Sequence, residues 1–248
     1  MRITVLGACG AWPEVGRACS GYLVEHAGFR VVMDLGYATL PRLLEYVEPR
    51  RVDAVLISHG HPDHCADLNP LLRARALSSP AAPPLPVYAL SGVLDAVLAL
   101  DEPHVLADAC ALHPLTGGDH VELGPFTVRT VRLPHFVANV GFRLSAGGSV
   151  VAYTGDTGPS PAVVELAHRA DVLLAEATFV DHVPDSEAGF LTSAVQAGQQ
   201  ATAAGARQLV LTHLWPGTDP EAARRAAEDT FPGDVRVARG GLVLDPAG

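Results

Sequence analysis

Three histidines and one aspartate fall within six residues of this sequence, in the pattern His59-x-His61-x-Asp63-His64. The motif directly follows the apolar run Val52–Ser58, which we predict to be a buried strand. The intervening glycine and proline favour a tight loop in which neighbouring side chains converge. Neutral imidazole and carboxylate oxygen are the ligands that zinc and similar divalent ions take in proteins. The spacing therefore predicts metal ligands, and the alternative is a chance histidine cluster on a solvated loop.

Three further candidate ligands lie at the ends of other predicted strands. His135, Asp156 and His213 each follow a short apolar run. A side chain in that position emerges at the edge of a sheet, where binding residues from several strands collect. Taken singly, each would more often be a capping or hydrogen-bonding residue. Their shared placement, added to the first motif, predicts one centre built from separate strand ends.

The elements that must position these residues form two similar halves, each with strands first and then alternating strands and helices. The pattern predicts a hairpin turn at His26–Phe29, a second hairpin over Val121–Val131 and a helix over Thr192–Ala204. The segment Asp101–Gly118 has no clean period, so we predict irregular or lid-like structure there. We expect two sheets packed face to face with helices outside. No linker divides the chain, so we expect one domain over residues 1–248.

Composition narrows the function classes. The chain has 248 residues, 17 basic residues that are all arginine, 27 acidic residues and a net charge of −10. This charge argues against a nucleic-acid polymer or an anionic membrane as a partner. The four cysteines show no C-x-x-C spacing, and no window has the apolar length of a membrane span. We expect a cytoplasmic protein that acts on a small molecule.

The pattern H-x-H-x-D-H, followed in order by His, Asp and His, resembles that of the metallo-β-lactamase superfamily. The resemblance covers essentially the whole chain and implies an α/β fold, the αββα four-layer sandwich. It also implies two divalent metal ions, zinc first with manganese or iron as alternatives, and a hydroxide that bridges them. The implied ligands are His59, His61 and His135 for one metal, Asp63, His64 and His213 for the other, and Asp156 as the bridge.

Three segments are similar to the ribonuclease Z-like, or phosphodiesterase, branch of that superfamily. They are Leu174–Thr178, Arg17–Val24 and Leu211–Leu214. In its length and in the order of its motifs, the chain most resembles short bacterial proteins that are similar to atypical class II cyclic nucleotide phosphodiesterases. Enzymes of this branch are frequently dimers, which leaves a homodimer open. The resemblance thus implies hydrolysis of a small phosphodiester such as a 3′,5′-cyclic nucleotide.

Two departures from that branch concern proton transfer. Ala175 replaces the histidine before Glu176, and Phe190 replaces the histidine that pairs with that glutamate in the branch. A phenylalanine cannot relay a proton, so we expect either protonation by Glu176 through water or by His182, or a better leaving group. The second case favours the alternative function, a lactone or thioester hydrolase on the same metals.

The resemblance and the residue types assign the remaining roles. We expect Asp63, Asp156 and Glu176 to take part in catalysis. Asp34 ends a predicted strand, and the resemblance implies that it lies beneath the metal loop and orients a ligand histidine; the alternative is an aspartate in a turn. The expected substrate-binding residues, which could hold a phosphate or stack on a base, are Arg17, Phe136 and Trp215.

Overall fold

Two seven-stranded sheets dominate the computed structural model, which describes residues 1–80, 82–106 and 108–246. The strands of the first sheet are, in chain order, β1 (Arg2–Gly7), β2 (Gly21–His26), β3 (Phe29–Leu35), β4 (Ala54–Leu56), β5 (Leu85–Leu90), β6 (Cys110–Leu115) and β14 (Val243–Leu244). Those of the second are β7 (His120–Leu123), β8 (Phe126–Leu133), β9 (Asn139–Ala146), β10 (Ser149–Tyr153), β11 (Val172–Glu176), β12 (Gln208–Thr212) and β13 (Asp234–Val237). The spatial orders are β14-β1-β2-β3-β4-β5-β6 and β13-β12-β11-β10-β9-β8-β7.

Short helices cover the outer face of each sheet. They are α1 (Thr39–Leu43), α2 (Pro62–Cys65), α3 (Leu68–Ala76), α4 (Asp95–Leu98), α5 (Pro103–Leu106), α6 (Pro161–Leu166), α7 (Ala194–Ala204) and α8 (Pro220–Glu228), with a 3₁₀ turn at Pro49–Arg51. The predicted helix over Thr192–Ala204 is confirmed as α7, which begins two residues later because Ser193 caps it. The Ser193 hydroxyl accepts from the Gln196 N–H while the Gln196 side chain accepts from the Ser193 N–H.

Alternation along the strands creates three apolar layers. In β3, Val31 and Met33 join the core between the sheets, whereas Val32 packs beneath the helices of the first half. In β10, Tyr153 points between the sheets and Ala152 towards α6 and α7. Because successive strand residues face opposite sides, each sheet is apolar on both faces and needs a covering layer on each. This arrangement confirms the predicted αββα sandwich.

Strand direction gathers the predicted ligands at one edge. In the second sheet β10, β11, β12 and β13 are parallel, and β8 runs the same way because β9 is antiparallel to both β8 and β10. In the first sheet β3 and β4 are parallel to β5. The residues after β4, β8, β10 and β12 are those that carry the motifs, so the topology brings four loops together.

The prediction of irregular or lid-like structure for Asp101–Gly118 is wrong in both halves, since the first half contains α5 and the second half a strand. Cys110–Leu115 forms β6, the edge strand of the first sheet, paired in parallel with β5. Residue 107, which also falls in this segment, lies outside the described residues. Both predicted hairpins are confirmed, as β2–β3 and as β7–β8. In the described ranges no helix has both the length and the apolarity needed to cross a bilayer.

Candidate metal centre

The metal loop begins where β4 ends. His59 follows the strand and is fully buried, and His61 occupies the N-cap position of α2, with Pro62 at the first helical position. This short helical turn then turns Asp63 and His64 inward, and both are buried. A proline is favoured at the first helical position because it has no N–H to leave unpaired. Local chain geometry thus explains how four side chains within six residues reach one point.

The structure brings all seven predicted ligands together in two groups. Within each group, one ligand atom per residue lies within 4.8 Å of all the others. The first group holds His59, His61, His135 and Asp156, and the second holds Asp63, His64, Asp156 and His213. The two groups share Asp156, as the resemblance implied, although whether these side chains bind metal stays a prediction.

In the first group, hydrogen bonds on the far side of the ring fix the protonation of His59 and His135. His59 Nδ1 lies 3.0 Å from the Ser58 hydroxyl, which itself donates to Asp34. His135 Nδ1 donates to the Phe190 carbonyl oxygen over 3.0 Å. Both rings therefore turn an unprotonated Nε2 towards His61 Nδ1, at 3.1 Å from His59 and 3.2 Å from His135. One proton cannot satisfy three converging nitrogens, but a metal ion can.

The second group shows the same orientation. His64 Nδ1 donates to Asp34 Oδ2 over 2.7 Å. His213 Nδ1 donates over 3.0 Å to the Thr178 hydroxyl, whose own proton is directed to Glu176. The free Nε2 atoms then face carboxylate oxygens, with His64 Nε2 3.2 Å from Asp156 Oδ1. A lone pair on Nε2 and a carboxylate oxygen at that distance repel each other, and either a proton on Nε2 or a metal ion bound to both atoms relieves that repulsion.

Two buried polar atoms at the centre of the second group also indicate a metal site. His64 Nε2 and Asp156 Oδ1 are inaccessible to solvent and have no hydrogen-bond partner in the part of the chain that the structure describes. Orphaned polar atoms of this kind are costly in a protein interior. Imidazole and carboxylate donors suit zinc and related divalent ions. The His/Asp cluster therefore fits a metal site.

The electrostatics favour ligation at neutral pH. Burial lowers the pKa of His59, His61 and His135, which keeps these imidazoles neutral. Burial acts in the opposite direction on Asp156, but the positive charge of protonated His213 and His64 beside it holds its pKa well below the usual range. Burial lowers the pKa of these two histidines, but the carboxylates beside them, Asp156 above all, together outweigh burial and raise it, so a metal ion would replace a proton on each ring. Neutral histidines and ionised aspartates are the forms that bind metal.

Backbone geometry at two positions is unusual for these residue types. Asp34 has φ of +54° and His213 has φ of +55°. Such left-handed conformations cost a residue with a side chain about 1–3 kcal/mol and concentrate at functional sites. Asp34 is fully buried and accepts from Ser58, His64 and Tyr153, so its predicted position beside a ligand histidine is what the structure shows.

Glu176 lies behind the cluster and does not face its open side. The side chain is 1% exposed, and its oxygens accept from the N–H groups of Thr157, Thr178 and Thr192 and from the Thr178 hydroxyl. Burial and the nearby Asp156 raise its pKa to about 7. It is linked to His213 through the Thr178 hydroxyl, and the role of Glu176 in proton transfer stays a prediction.

Arg17 is not part of the cluster. It forms an ion pair with Glu14 and lines a groove with residues of α8 and with Arg239. Among the described residues it has no hydrogen bond or ion pair with a predicted ligand. The loop between β1 and β2 carries this side chain towards α8, and the role of Arg17 in substrate binding stays a prediction.

Four aromatic side chains stand beside the ligand loops. Phe136, next to His135, packs on Phe190 with ring centroids 4.7 Å apart. Trp12 and Trp215 meet edge to face at 5.1 Å. All four are more than one third exposed, which leaves the predicted roles of Phe136 and Trp215 open.

Sequence reasoning missed the groups that hold the ligand rings. Ser58, Thr178 and the Phe190 carbonyl each occupy the second nitrogen of a ligand histidine. Thr178 ends the segment Leu174–Thr178, which is similar to the ribonuclease Z-like branch, and Ser58 adjoins His59 in sequence. Nothing in the sequence marked the carbonyl.

Comparisons with known proteins agree with this geometry. Residues 17–214 match the family described as the beta-lactamase superfamily domain. The probable metallo-hydrolase YhfI of Bacillus subtilis (strain 168) is 32% identical over 250 residues, covering 99% of this chain and 100% of YhfI. The crystal structure of YhfI, a metallo-beta-lactamase fold protein, superposes with a TM-score of 0.90 at 30% identity, over 98% of this chain and 99% of that chain.

Two further relatives are named for hydrolytic activities. Ribonuclease Z of Methanopyrus kandleri is 31% identical over 276 residues, covering 96% of this chain and 95% of the relative. A diphosphatase of the PhnP family shares the fold, with a TM-score of 0.77 at 21% identity over 98% of this chain and 97% of that chain. This chain therefore belongs to the beta-lactamase superfamily, as a hydrolase of the metallo-β-lactamase fold in the branch that includes ribonuclease Z.

Proposed function

We propose that this protein is a hydrolase with two metal ions that cleaves a small phosphodiester, with a 3′,5′-cyclic nucleotide as the first candidate. The observation that carries the proposal is the pair of ligand groups sharing Asp156, each with ring nitrogens turned inward. His59, His61 and His135 would hold one ion, and Asp63, His64 and His213 the other. Zinc is the first choice for both positions, with manganese or iron as alternatives.

The chain's own residues prepare this centre. When bound, two such ions supply a nucleophile from water at neutral pH and neutralise charge on phosphoryl oxygens. Asp34 and Thr178 fix the rings of His64 and His213, so these ligands need no reorganisation. Asp156 lies between the groups, 3.2 Å from both His64 Nε2 and His213 Nε2. Buried ligand side chains whose geometry is already fixed stabilise charge better than mobile side chains do, because they need not reorganise.

The substrate is proposed to be small for two reasons. The net charge of −10 and the absence of lysine leave little attraction for a polyanion. Only 20 residues separate His135 from Asp156, and they contain a single basic residue, Arg143, whose guanidinium donates to the Leu166 carbonyl. Relatives named ribonuclease and diphosphatase support chemistry at phosphorus.

Phe190 favours a second candidate function, hydrolysis of a lactone or thioester. This side chain packs on Phe136, beside ligand His135, where an ionisable group could otherwise assist a leaving oxygen. An acyl substrate with a good leaving group needs less protonation than a ribose oxygen does. The same cluster could supply the charge stabilisation for a carbonyl oxygen.

The deciding experiment is hydrolysis of 3′,5′-cyclic AMP by protein loaded with zinc or manganese. We expect turnover to fall at least about 100-fold in Asp156→Ala, because the variant loses the carboxylate that both ligand groups share, and loss of a group that only orients a ligand already costs about 10- to 100-fold. Asp229→Ala removes an exposed carboxylate from the end of α8 and should leave turnover unchanged. Thermal melting of each variant checks folding.

Two outcomes would contradict the proposal. Turnover that survives in Asp156→Ala would show that the shared aspartate is dispensable. Full metal content with hydrolysis of lactones or thioesters and none of cyclic AMP would replace the phosphodiesterase with the acyl hydrolase.

A further inference from the structure

Both tryptophans of the chain are found at one place beside the metal centre. Trp12 and Trp215 are the only two in the sequence, and their ring centroids lie 5.1 Å apart with planes at 82°. They remain 48% and 41% exposed. Indole rings contribute much burial energy when enclosed, so an exposed pair forgoes stabilisation that a core position would give.

Each tryptophan lies within two residues, along the chain, of a residue that belongs to the second group or donates a hydrogen bond to it. Ala11, which precedes Trp12, donates its N–H to Asp63 Oδ2 over 2.8 Å. Trp215 lies two residues after His213 in the sequence. The pair therefore stands at the Asp63 and His213 end of the cluster.

A close backbone approach holds the two loops together. The Gly10 N–H donates to the Leu214 carbonyl over 3.0 Å. A side chain at Gly10 would meet the His213 carbonyl oxygen at 2.9 Å and its ring at 3.0 Å. Glycine is required for this contact, which fixes the indole corner relative to the ligand.

The surroundings of the cluster offer few positively charged side chains that could bind a phosphate of the substrate. In the described ranges no arginine forms a hydrogen bond or ion pair with the seven predicted ligands, and the chain has no lysine. A phosphate would thus be held by the centre itself. Recognition of the remainder of the substrate falls to the aromatic surfaces beside it.

We infer that Trp12 and Trp215 form a binding subsite for the planar nucleobase of the substrate. The inference rests on the proposed function for placing a phosphate at the metal centre. Two indoles at nearly a right angle present a corner that a planar heterocycle contacts by face and by edge. Stacking accepts any base, so the subsite selects nucleotides over other phosphates without selecting one base.

Tryptophan fluorescence tests the subsite without requiring turnover, because all tryptophan emission comes from this pair. We expect adenosine 5′-monophosphate to change the emission of metal-loaded protein saturably. Ribose 5-phosphate carries the same phosphate without a base and should not do so at matched concentration. Equal responses to the two compounds would overturn the inference.

Variants extend the test to affinity. Trp215→Leu should weaken binding of adenosine 5′-monophosphate, measured by calorimetry, about 10-fold, since base stacking on an aromatic ring is worth about that much. Binding of ribose 5-phosphate should be unchanged. Tyr46→Leu removes an exposed aromatic residue just after α1 and should leave both affinities unaltered. Melting curves establish that each variant is folded.

The results separate the two proposals. Base-dependent binding that is lost in Trp215→Leu, without hydrolysis of cyclic AMP, would support the subsite and reject the phosphodiesterase. Hydrolysis of cyclic AMP with an unchanged KM in Trp12→Leu and Trp215→Leu would support the phosphodiesterase and reject the subsite.

Discussion

Four of the five histidines predicted to bind metal are fixed by acceptors of three chemical kinds. A carboxylate holds His64, hydroxyl oxygens hold His59 and His213, and a backbone carbonyl holds His135. Each acceptor determines which ring nitrogen carries the proton, and so which nitrogen is free to bind metal. The hydroxyl acceptors work only because their own protons go to buried carboxylates, Asp34 and Glu176.

Thr178→Val tests this orientation. Valine keeps the shape of threonine but removes the acceptor for His213 Nδ1, so the ring loses its fixed tautomer. We expect zinc affinity, measured by competition with a chromophoric chelator, to fall about 10-fold, as for other groups that orient a ligand. Thr178→Ser retains the hydroxyl and serves as the control.

The contrary result is simple to recognise. Equal zinc affinity in the valine, serine and unaltered proteins would show that the hydroxyl does not orient His213. Because Glu176 also loses a donor in Thr178→Val, melting curves are needed to separate a local loss of affinity from unfolding.

Some of the acceptors that orient the histidine rings could be predicted from the sequence, and others could not. Asp34 could be predicted only with the help of the family resemblance, because an aspartate at the end of an apolar strand is about as often a turn residue. Ser58 and Thr178 belong to common residue types. Each can accept a hydrogen bond from a histidine Nδ1 because its own hydroxyl proton is donated to a carboxylate, which the sequence does not reveal. The Phe190 carbonyl is invisible in sequence, since any residue supplies a carbonyl and only the path of the chain brings it to His135.

At the scale of elements, buried strands were predictable and the exposed edge was not. Of the strands that carry the candidate centre, β4, β10 and β12 are mainly apolar and buried, as strands covered on both faces are, whereas β8 alternates buried and more exposed residues. β6 contains Pro114 and three consecutive exposed residues, and only one of its sides is paired. Proline and weak burial are tolerated at a sheet edge, so this strand carries no periodic signal.

Asp119 stabilises the turn that leads from β6 into β7, at the boundary of the two sheets. Its carboxylate accepts from the N–H groups of Thr116 and Gly117 at 2.8 and 2.9 Å and from the Thr130 hydroxyl at 3.1 Å. Partial burial acts against ionisation, but these donors prevail and lower the pKa of Asp119 to about 2.

Asp119→Ala should therefore destabilise the protein in a pH-dependent way. A carboxyl group whose pKa is lowered on folding stabilises the native state above its unfolded pKa, near 4, and loses this effect as the pH falls towards 2. We expect the free energy of unfolding to drop by about 1–2 kcal/mol at pH 7. The difference from unaltered protein should shrink below pH 4, as urea denaturation at several pH values would show.

Asp229→Ala is the matched control, since its carboxylate is exposed. A loss in Asp119→Ala that is constant from pH 7 to pH 3 would mean that the charge on the carboxylate does not contribute. Metal content should be the same in both variants, because neither residue is among the predicted ligands.

At the scale of the whole molecule, the apolar core and the candidate centre are separate. Three clusters of buried residues fill the space between the sheets and beneath each helical layer, and none includes a predicted ligand. A chain of 248 residues buries enough surface to fold without a metal. The centre lies instead where strand ends from both sheets meet, so it draws on the rigidity of each.

Chelation tests that separation. Removing bound metal should leave the far-ultraviolet circular dichroism spectrum and the cooperativity of thermal melting intact, because the three apolar clusters persist. The melting temperature should fall by about 5–10 °C, since a ligand present at 100 times its Kd stabilises by about 2.7 kcal/mol and a domain of this size shifts about 2–4 °C per kcal/mol. Adding zinc back should restore it. Loss of the spectrum at 25 °C on chelation would instead show that the ions hold the two sheets together.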